Sequence, residues 1–474
     1  MFYQKDRFNY SDKLHVVVLA VTAFMLNEYI YYDEKFSLVI NVTLLLFGFL
    51  LFLRKSLSLF TFIPYIGFLL NTRPREIHII PIESRGVFDY YSVNIQKAVF
   101  FSFSTTLIIL ISLLVILYVC IGKIRLRRVT SYVIFAIFIS VISTIIFGVR
   151  TNSLYLMEAT NSLRYLIFVL GGALVFDFYK IDKCDSDVII NSIIKILLSA
   201  ILLSILYLVK DVALSDYKLR YVTSSIFFSA SVFYCALNTK MRVRYRIVIV
   251  IFSLIVFFPI TRGEQINMFI CFLIYVALSF HREHNRSYKN FFMSKALVIG
   301  CIISFLTGLI YIYAYLPETW NMVVMKFSFF MSTDLNHDQS SSVRSSEFES
   351  IFAMQSLYDF IEIAIGKGLF GYYSLDRTVL TYLNESDFSL LEIENNRFFT
   401  THNFLSFHLL KFGVIGTAFI FIYYISCVSF RNVFSRELNY FLVLSFVPIM
   451  YISYFSPVFS FYYSFLLMVN YNAE

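Results

Sequence analysis

Stretches of 14 to 25 apolar residues follow one another along this chain from end to end, each long enough, or nearly so, to cross a hydrocarbon core about 30 Å thick. A backbone in lipid must satisfy its own hydrogen bonds, which leaves helices for segments of this length. Only 15% of the 474 residues are charged and 59% are hydrophobic, too little polar surface for a water-soluble protein of this size. The expected fold is an all-α polytopic integral membrane protein of about 14 transmembrane helices (12–14). Candidate spans lie near 14–32, 36–53, 57–70, 98–121, 129–149, 163–179, 188–209, 219–237, 247–260, 266–280, 296–314, 403–428, 440–453 and 457–470. The first run is followed at once by others, so it reads as a first span and not as a cleaved signal peptide.

Lys and Arg in the short loops set the orientation. KIRLRR at 123–128, KMRVRYR at 240–246, HREHNRSYK at 281–289 and RNVFSR at 431–436 all fall on one side of a fourteen-span chain. RK at 54–55, KIDK at 180–183 and the N-terminal KDR join them. That side is expected to be the cytoplasm, with both termini. The opposite face receives YYDEK, the loop from about 71 to 97, turns at 150–162 and 261–265, and one long segment, 315–402. The chain thus divides into a bundle of about eleven spans over 1–314, a large outer loop over 315–402, and C-terminal spans over 403–474. Within the loop, VRSSEFESIFAMQSLYDFIEIAI has helix-like apolar spacing and runs into GKGLFGYY, whose glycines suit a helix stop.

The net charge of +8 suits anionic lipid or an anionic ligand and not nucleic acid, because the basic residues sit in short loops between spans. The six cysteines fall within spans or toward the cytoplasm, without metal-site spacing, and imply no disulfide framework.

Basic residues on the outer face are the informative ones. Arg150 ends the fifth span, Arg164 begins the sixth, Arg262 lies in the turn TRGEQ, Arg344 opens the helix of the long loop, and His402 heads the twelfth span. Guanidinium forks match phosphate oxygens, and an arginine at membrane depth needs a partner. An anionic lipid-linked substrate would be that partner, and the arginines would stabilise a departing diphosphate. Plainer roles compete. Arg150 and Arg164 could snorkel to headgroups, Arg262 could pair with Glu264, Arg344 could pair with Glu347 one turn on, and His402 could be a satisfied interfacial histidine.

Other polar groups carry less. His281 and His284 sit in a basic cytoplasmic loop, and Asp334, His337 and Asp338 belong to DLNHDQSSS, which reads as a solvated loop. Glu28, Asp33 and Glu34 fill a first outer loop that is short for a catalytic acid. No Walker motif, paired-glycine dinucleotide loop or Asp-x-Asp sugar-nucleotide site occurs, which argues against an ATP-driven pump or a nucleotide-sugar enzyme. No metal and no cofactor are expected.

THNFLSFHLLKFGVIG at 401–416 resembles the His-Asn … Gly-x-x-Gly signature of O-antigen polymerases (the Wzy type) and the related O-antigen ligases. PITRGEQINMFICFLIYVAL at 259–278 is similar to the turn those proteins place before a further span. SVRSSEFESIFAMQSL followed by IGKGLFGYY is similar to their long periplasmic loop, and NSLRYLIFVLGG to an earlier arginine-bearing span start. The likeness covers roughly residues 150 to 430. Lys411 departs from the acidic or neutral residue usual in the family, and the proline usual before the loop glycines is absent.

The resemblance implies a metal-independent, inverting glycosyltransferase in the bacterial inner membrane, its active site facing the periplasm. Its donor would be an undecaprenyl-diphosphate-linked glycan. Carried over by position, His402, Arg262 and Arg344 would be catalytic, with Arg164 beside them. Arg150 would assist on the diphosphate, and Asn403 would orient the imidazole or a sugar hydroxyl. An unperturbed imidazole titrates near pH ~6.5, which suits His402 as the base for the acceptor hydroxyl, and nearby cations favour its neutral form. Gly413 and Gly416 would let a neighbouring helix approach the span that carries His402. His408 and Lys411 share a different face from His402, lining a lower cavity or, for Lys411, snorkelling outward.

Two rival functions remain at this point: an O-antigen ligase, which uses a similar donor but delivers the polymer to the lipid A core, and a flippase for the lipid-linked repeat. The 55 Phe, 35 Tyr and divergent motif favour the polymerase, since polymerases vary with each sugar repeat. A dominant outer loop without internal duplication favours an enzyme over a transporter. Membrane lipid and a chain-length-determining co-polymerase are the further expected partners.

Overall fold

The structure is a computed structural model. It describes residues 10–32, 34–68, 73–75, 106–147, 153–180, 185–213, 220–222, 270–274, 339–353, 357–375, 390–399, 401, 404–428, 437–451 and 457–473, with isolated positions at 232, 234, 249 and 314. Contacts divide the chain into two units of three stretches each: 1–80, 182–326 and 430–449 in the first, 81–181, 327–429 and 450–474 in the second.

The described residues are almost entirely helical. The helices are α1 (Tyr10–Tyr32), α2 (Glu34–Leu53), α3 (Leu59–Phe68), α4 (Thr106–Cys120), α5 (Arg128–Phe147), α6 (Ser153–Tyr179), α7 (Asp185–Ala213), α8 (Gln339–Phe352), α9 (Leu357–Ile365), α10 (Leu390–Asn395), α11 (Phe404–Ser426), α12 (Glu437–Tyr451) and α13 (Pro457–Ala473). Two short strands, β1 (Arg73–Arg75) and β2 (Arg220–Val222), pair antiparallel. Among the described residues three helical stretches are long and apolar enough to cross a membrane by length and composition alone, Arg128–Phe147, Ser162–Tyr179 and Phe404–Ser426, the last of them broken at Gly413.

In the first unit α1 packs on α2 and α7, and α3 packs on the same two helices. Hydroxyls inside these apolar contacts find partners close by, as buried polar groups must. Ser199 donates to Val16 O at 3.3 Å, Tyr65 to Leu19 O at 3.1 Å, and Thr61 to Ser192 Oγ at 2.6 Å. The span expected over 219–237 does not begin as a helix: Arg220–Val222 is the strand β2, facing Arg73–Arg75. Pro74 of β1, which has no N–H to donate to the ladder, faces Tyr221. Most of the spans expected over 219–237, 247–260, 266–280 and 296–314 lies outside the described residues.

In the second unit α13 runs along α6, and α5 packs on both α6 and α11. Ser464 Oγ donates to Val169 O at 2.5 Å, and Tyr423 OH meets Ser464 Oγ at 2.6 Å, so one serine joins three helices. Arg127, just ahead of α5, pairs with Asp177 of α6 at 2.7 Å and lies over the Phe176 ring. Two helices begin earlier than expected. α6 starts at Ser153 and takes in most of the turn placed at 150–162, because SLYLMEATNS contains neither Gly nor Pro. α8 starts at Gln339 and absorbs the serines of the stretch read as a solvated loop.

α11 is the main departure from expectation. The single span expected over 403–428 is broken at Gly413, where φ is 63° and ψ −172°. The Phe404 ring lies 6.3 Å from that of Phe421 and 6.2 Å from that of Tyr424. In a straight helix the Cα atoms of these pairs would stand roughly 25 and 30 Å apart, beyond the reach of two rings. α11 is therefore two arms folded back on each other, 404–412 and 414–426. Hydropathy records composition and not direction, so an apolar helical hairpin and an apolar span look alike in sequence. The second arm lies along α5, with Phe419 stacked 5.4 Å from Phe135.

Candidate functional site

The segment after α9 meets α11 where that helix folds. α9 ends at Gly366, whose φ of 80° is the left-handed conformation that closes many helices, and Gly366 N–H donates to Glu362 O at 2.7 Å. A side chain at Gly366 would strike the backbone of Lys411, Phe412 and Gly413, and one at Gly413 would strike Ala364, Ile365 and Gly366. The two glycines thus meet backbone to backbone, and Gly413 occupies a region of φ and ψ open essentially to glycine alone. In a continuous helix Leu410 O would serve residue 414. Here it accepts Lys367 N–H at 2.7 Å. The kink turns a carbonyl outward, and the glycine-rich turn supplies a donor for it.

α5 grips the same turn from another side. Ser143 Oγ donates to Gly366 O. Leu369 N–H donates to Thr144 Oγ1 at 2.9 Å, and Thr144 in turn donates to Ser140 O at 2.7 Å.

Two ionisable side chains of the first arm are wholly buried beside this turn. Lys411 Nζ donates to Gly371 O at 2.6 Å, reaches Leu369 O at 3.4 Å and lies 5.7 Å from the Phe399 ring centroid. The negative ends of carbonyl dipoles and the face of an aromatic ring both favour a cation there. Lys411 therefore does not snorkel outward. His408 Nδ1 lies 2.7 Å from Phe404 O, and Nε2 lies 2.9 Å from Tyr165 OH, itself 3.2 Å from Tyr424 OH. A carbonyl only accepts, so Nδ1 carries the proton. With a neutral ring, Nε2 accepts the Tyr165 hydroxyl proton, and Tyr165 oxygen accepts from Tyr424. This chain of bonds ties α6 to both arms of α11.

Farther along the loop, Tyr373 and Phe398 exchange backbone hydrogen bonds of 3.0 and 2.9 Å. Tyr373 OH donates to the buried Glu347 Oε1 at 2.9 Å. Burial first, and then the neighbouring Glu347, hold the Tyr373 hydroxyl well above the ordinary tyrosine range. Glu392 Oε1 accepts Phe399 N–H at 3.2 Å, and Asn396 brackets Leu375 N–H and O at 2.9 Å each. Ile351, Tyr373, Leu375, Phe398, Leu409 and Leu410 form one apolar core, which fastens α8 and the bridged segments at Tyr373 and Phe398 to the first arm. On its exposed side Arg397 stands 5.4 Å from the Tyr372 ring, and Lys367 pairs with Glu362 at 3.2 Å. A shallow cleft between Phe352, Ile363 and Leu409 is too small to admit a sugar.

Of the residues singled out in sequence, Arg164 sits half-buried in α6, next in the chain to Tyr165. Arg344 stands in α8, one turn before Glu347. Gly413 is the fold-back point, and Gly416 lies on the second arm, where an added Cβ would come within 2.7 Å of Phe412 Cβ and 3.6 Å of Ile139 of α5. His402, Asn403, Arg150 and Arg262 lie outside the described residues. The structure thus brings the middle of α6, the end of α5, α8, the glycine-rich turn and the first arm of α11 to one place within the second unit. Lys411 and His408 gain weight that spacing alone did not give them. A charged and a titratable residue inside an apolar run were the available signal. Arg397 gave no signal, since it lies among ordinary loop residues. Among the described residues no cluster of three His, Cys, Asp or Glu could hold a metal ion.

Compared with known proteins, the chain matches no family model and no curated sequence.

Proposed function

We propose that this chain is an O-antigen polymerase of the Wzy type. It joins undecaprenyl-diphosphate-linked oligosaccharide repeats on the periplasmic face of the bacterial inner membrane. The observation that carries the reading is the docking of the glycine-rich turn of the long loop into the fold of α11. There the helix of Arg344 and the arm that follows His402 in the chain are joined, and Tyr165, next to Arg164, bonds His408 of the same arm. A transferase with a diphosphate-lipid donor needs cations and a base brought together, which is the role proposed here for these residues.

In this reading about fourteen spans carry one large periplasmic loop, and both termini are cytoplasmic. The fold-back of α11 is compatible with that topology, because Val414 to Phe430 remains an apolar run of about 17 residues, the lower limit for a span. The basic RNVFSR then stays cytoplasmic.

The acceptor hydroxyl attacks the anomeric carbon as the diphosphate leaves, with oxocarbenium character at the transition state. His402 takes the hydroxyl proton, with Asn403 orienting the ring or a sugar hydroxyl. Arg262 and Arg344 stabilise the departing diphosphate, and Arg150 and Arg164 assist. Gly413 and Gly416 let the arms and their neighbours pack closely.

The lipopolysaccharide profile of a deletion strain tests this. A lipid A core bearing a single repeat is expected. A bare core with accumulated lipid-linked polymer would make the chain a ligase instead, and loss of all periplasmic lipid-linked repeat would make it a flippase.

A further inference from the structure

We propose that Lys411 is a positioning residue for the transfer reaction, one that rests on the polymerase reading above. Its ammonium latches the glycine-rich turn of the outer loop onto the arm of α11 that His402 and Asn403 immediately precede in the chain. The family resemblance gives no such role, since Lys411 is where this sequence departs from the usual pattern.

Beyond the Ser143 bond to Gly366 O, the turn is bound at three further points. Lys367 N–H holds Leu410 O at 2.7 Å, Leu369 N–H holds Thr144 Oγ1 at 2.9 Å, and Lys411 Nζ holds Gly371 O at 2.6 Å. The first two bonds are neutral and sit near the α9 end of the turn. Lys411 supplies the charge-assisted bond, the stronger kind. It alone of the three reaches Gly371, beyond which the chain enters the Tyr373–Phe398 bridge and the core with α8. The arm and the helix of Arg344 are therefore joined through the ammonium as well as through apolar packing. Burying an ammonium is unfavourable unless its bonds are good, and an apolar side chain of similar shape is often as stable or more so. A lysine fully enclosed at this position adds direction to the contact more than it adds stability.

That difference gives the test. Lys411→Met keeps the stem and removes the donors, and Lys411→Arg keeps charge and donors. Kinetics of polymerisation of a purified lipid-linked repeat are measured with each full-length variant in detergent, beside melting temperature and amide exchange. Lys411→Met is expected to melt no lower than wild type, to lose at least about tenfold in kcat with KM within about twofold, and to exchange the Lys367 and Leu369 amides faster. Lys411→Arg is expected to recover most of the lost kcat. A Lys411→Met protein with wild-type kcat, or a Lys411→Arg protein no better than Lys411→Met, overturns the proposal. Should Lys411→Met fail to fold, Thr144→Val loosens the same turn from the α5 side. A kcat fall of about threefold or more is then expected, and none overturns the proposal. An inactive wild type would refute the polymerase reading, and amide exchange would still judge the latch: unchanged exchange in Lys411→Met sinks it.

Discussion

Tyr165 joins α6 to both arms of α11 through one hydroxyl, bonded to His408 at 2.9 Å and to Tyr424 at 3.2 Å. Tyr165→Phe keeps the ring and strips His408 Nε2 of its donor in a fully buried place. A loss of about 1–3 kcal/mol in stability is expected, read as a lowered melting temperature in detergent. An unchanged melting temperature would mean that the arms do not depend on this bond. Tyr373 makes a second prediction, in the outer loop. Its hydroxyl is held above the ordinary tyrosine range by burial and by Glu347. A group with a raised folded-state pKa contributes its full stability below its unfolded pKa, about 10 for tyrosine, and loses it as pH rises through the folded value. The stability gap between wild type and Tyr373→Phe should therefore be constant from pH 7 to about 9 and shrink above about pH 10. A gap that is flat to higher pH would place Tyr373 in solvent. At this level the sequence told less than the packing did. His408 and Lys411 stand out as polar residues in an apolar run, yet nothing in their spacing names Tyr165 or Gly371 as partners, because those contacts join residues 243 and 40 positions apart.

Helices were the easiest elements to read from sequence. α1, α2, α5, α7 and α13 fall within a few residues of the apolar runs that announce them, since burial in lipid or core favours the same residues. The glycine-rich stop after α9 was also readable, because only a residue free to take positive φ closes a helix that way. The fold-back in α11 was not. GVIG carries the same glycines whether they admit a neighbour to a straight helix or break one in two. Cysteines at 404 and 421 in a cysteine-free background separate these forms. A short bismaleimide should join them within one chain, since their rings lie 6.3 Å apart. A straight helix would hold them roughly 25 Å apart and give no product. The early start of α6 and the strand at Arg220–Val222 escaped for a related reason. Charge and hydropathy mark where a chain leaves the membrane and say little about the structure it adopts there.

Within the second unit, the glycine-rich turn after α9 is seated against α5 and the first arm of α11. Lys367 and Arg397 stand on the exposed side of the turn and Lys411 is buried beneath it, while α8 carries Arg344 and α6 carries Arg164. Such a site would act on an anionic substrate presented from the lipid, which is what a diphosphate-linked glycan is. The reaction itself is the direct test. Purified full-length protein, given undecaprenyl-diphosphate-linked repeat units and no nucleotide sugar or metal, should yield a ladder of lipid-linked polymer with one undecaprenyl diphosphate released per bond formed. A protein that folds, takes up the repeat and forms no ladder, or that transfers glycan only when lipid A core is added, would contradict the account.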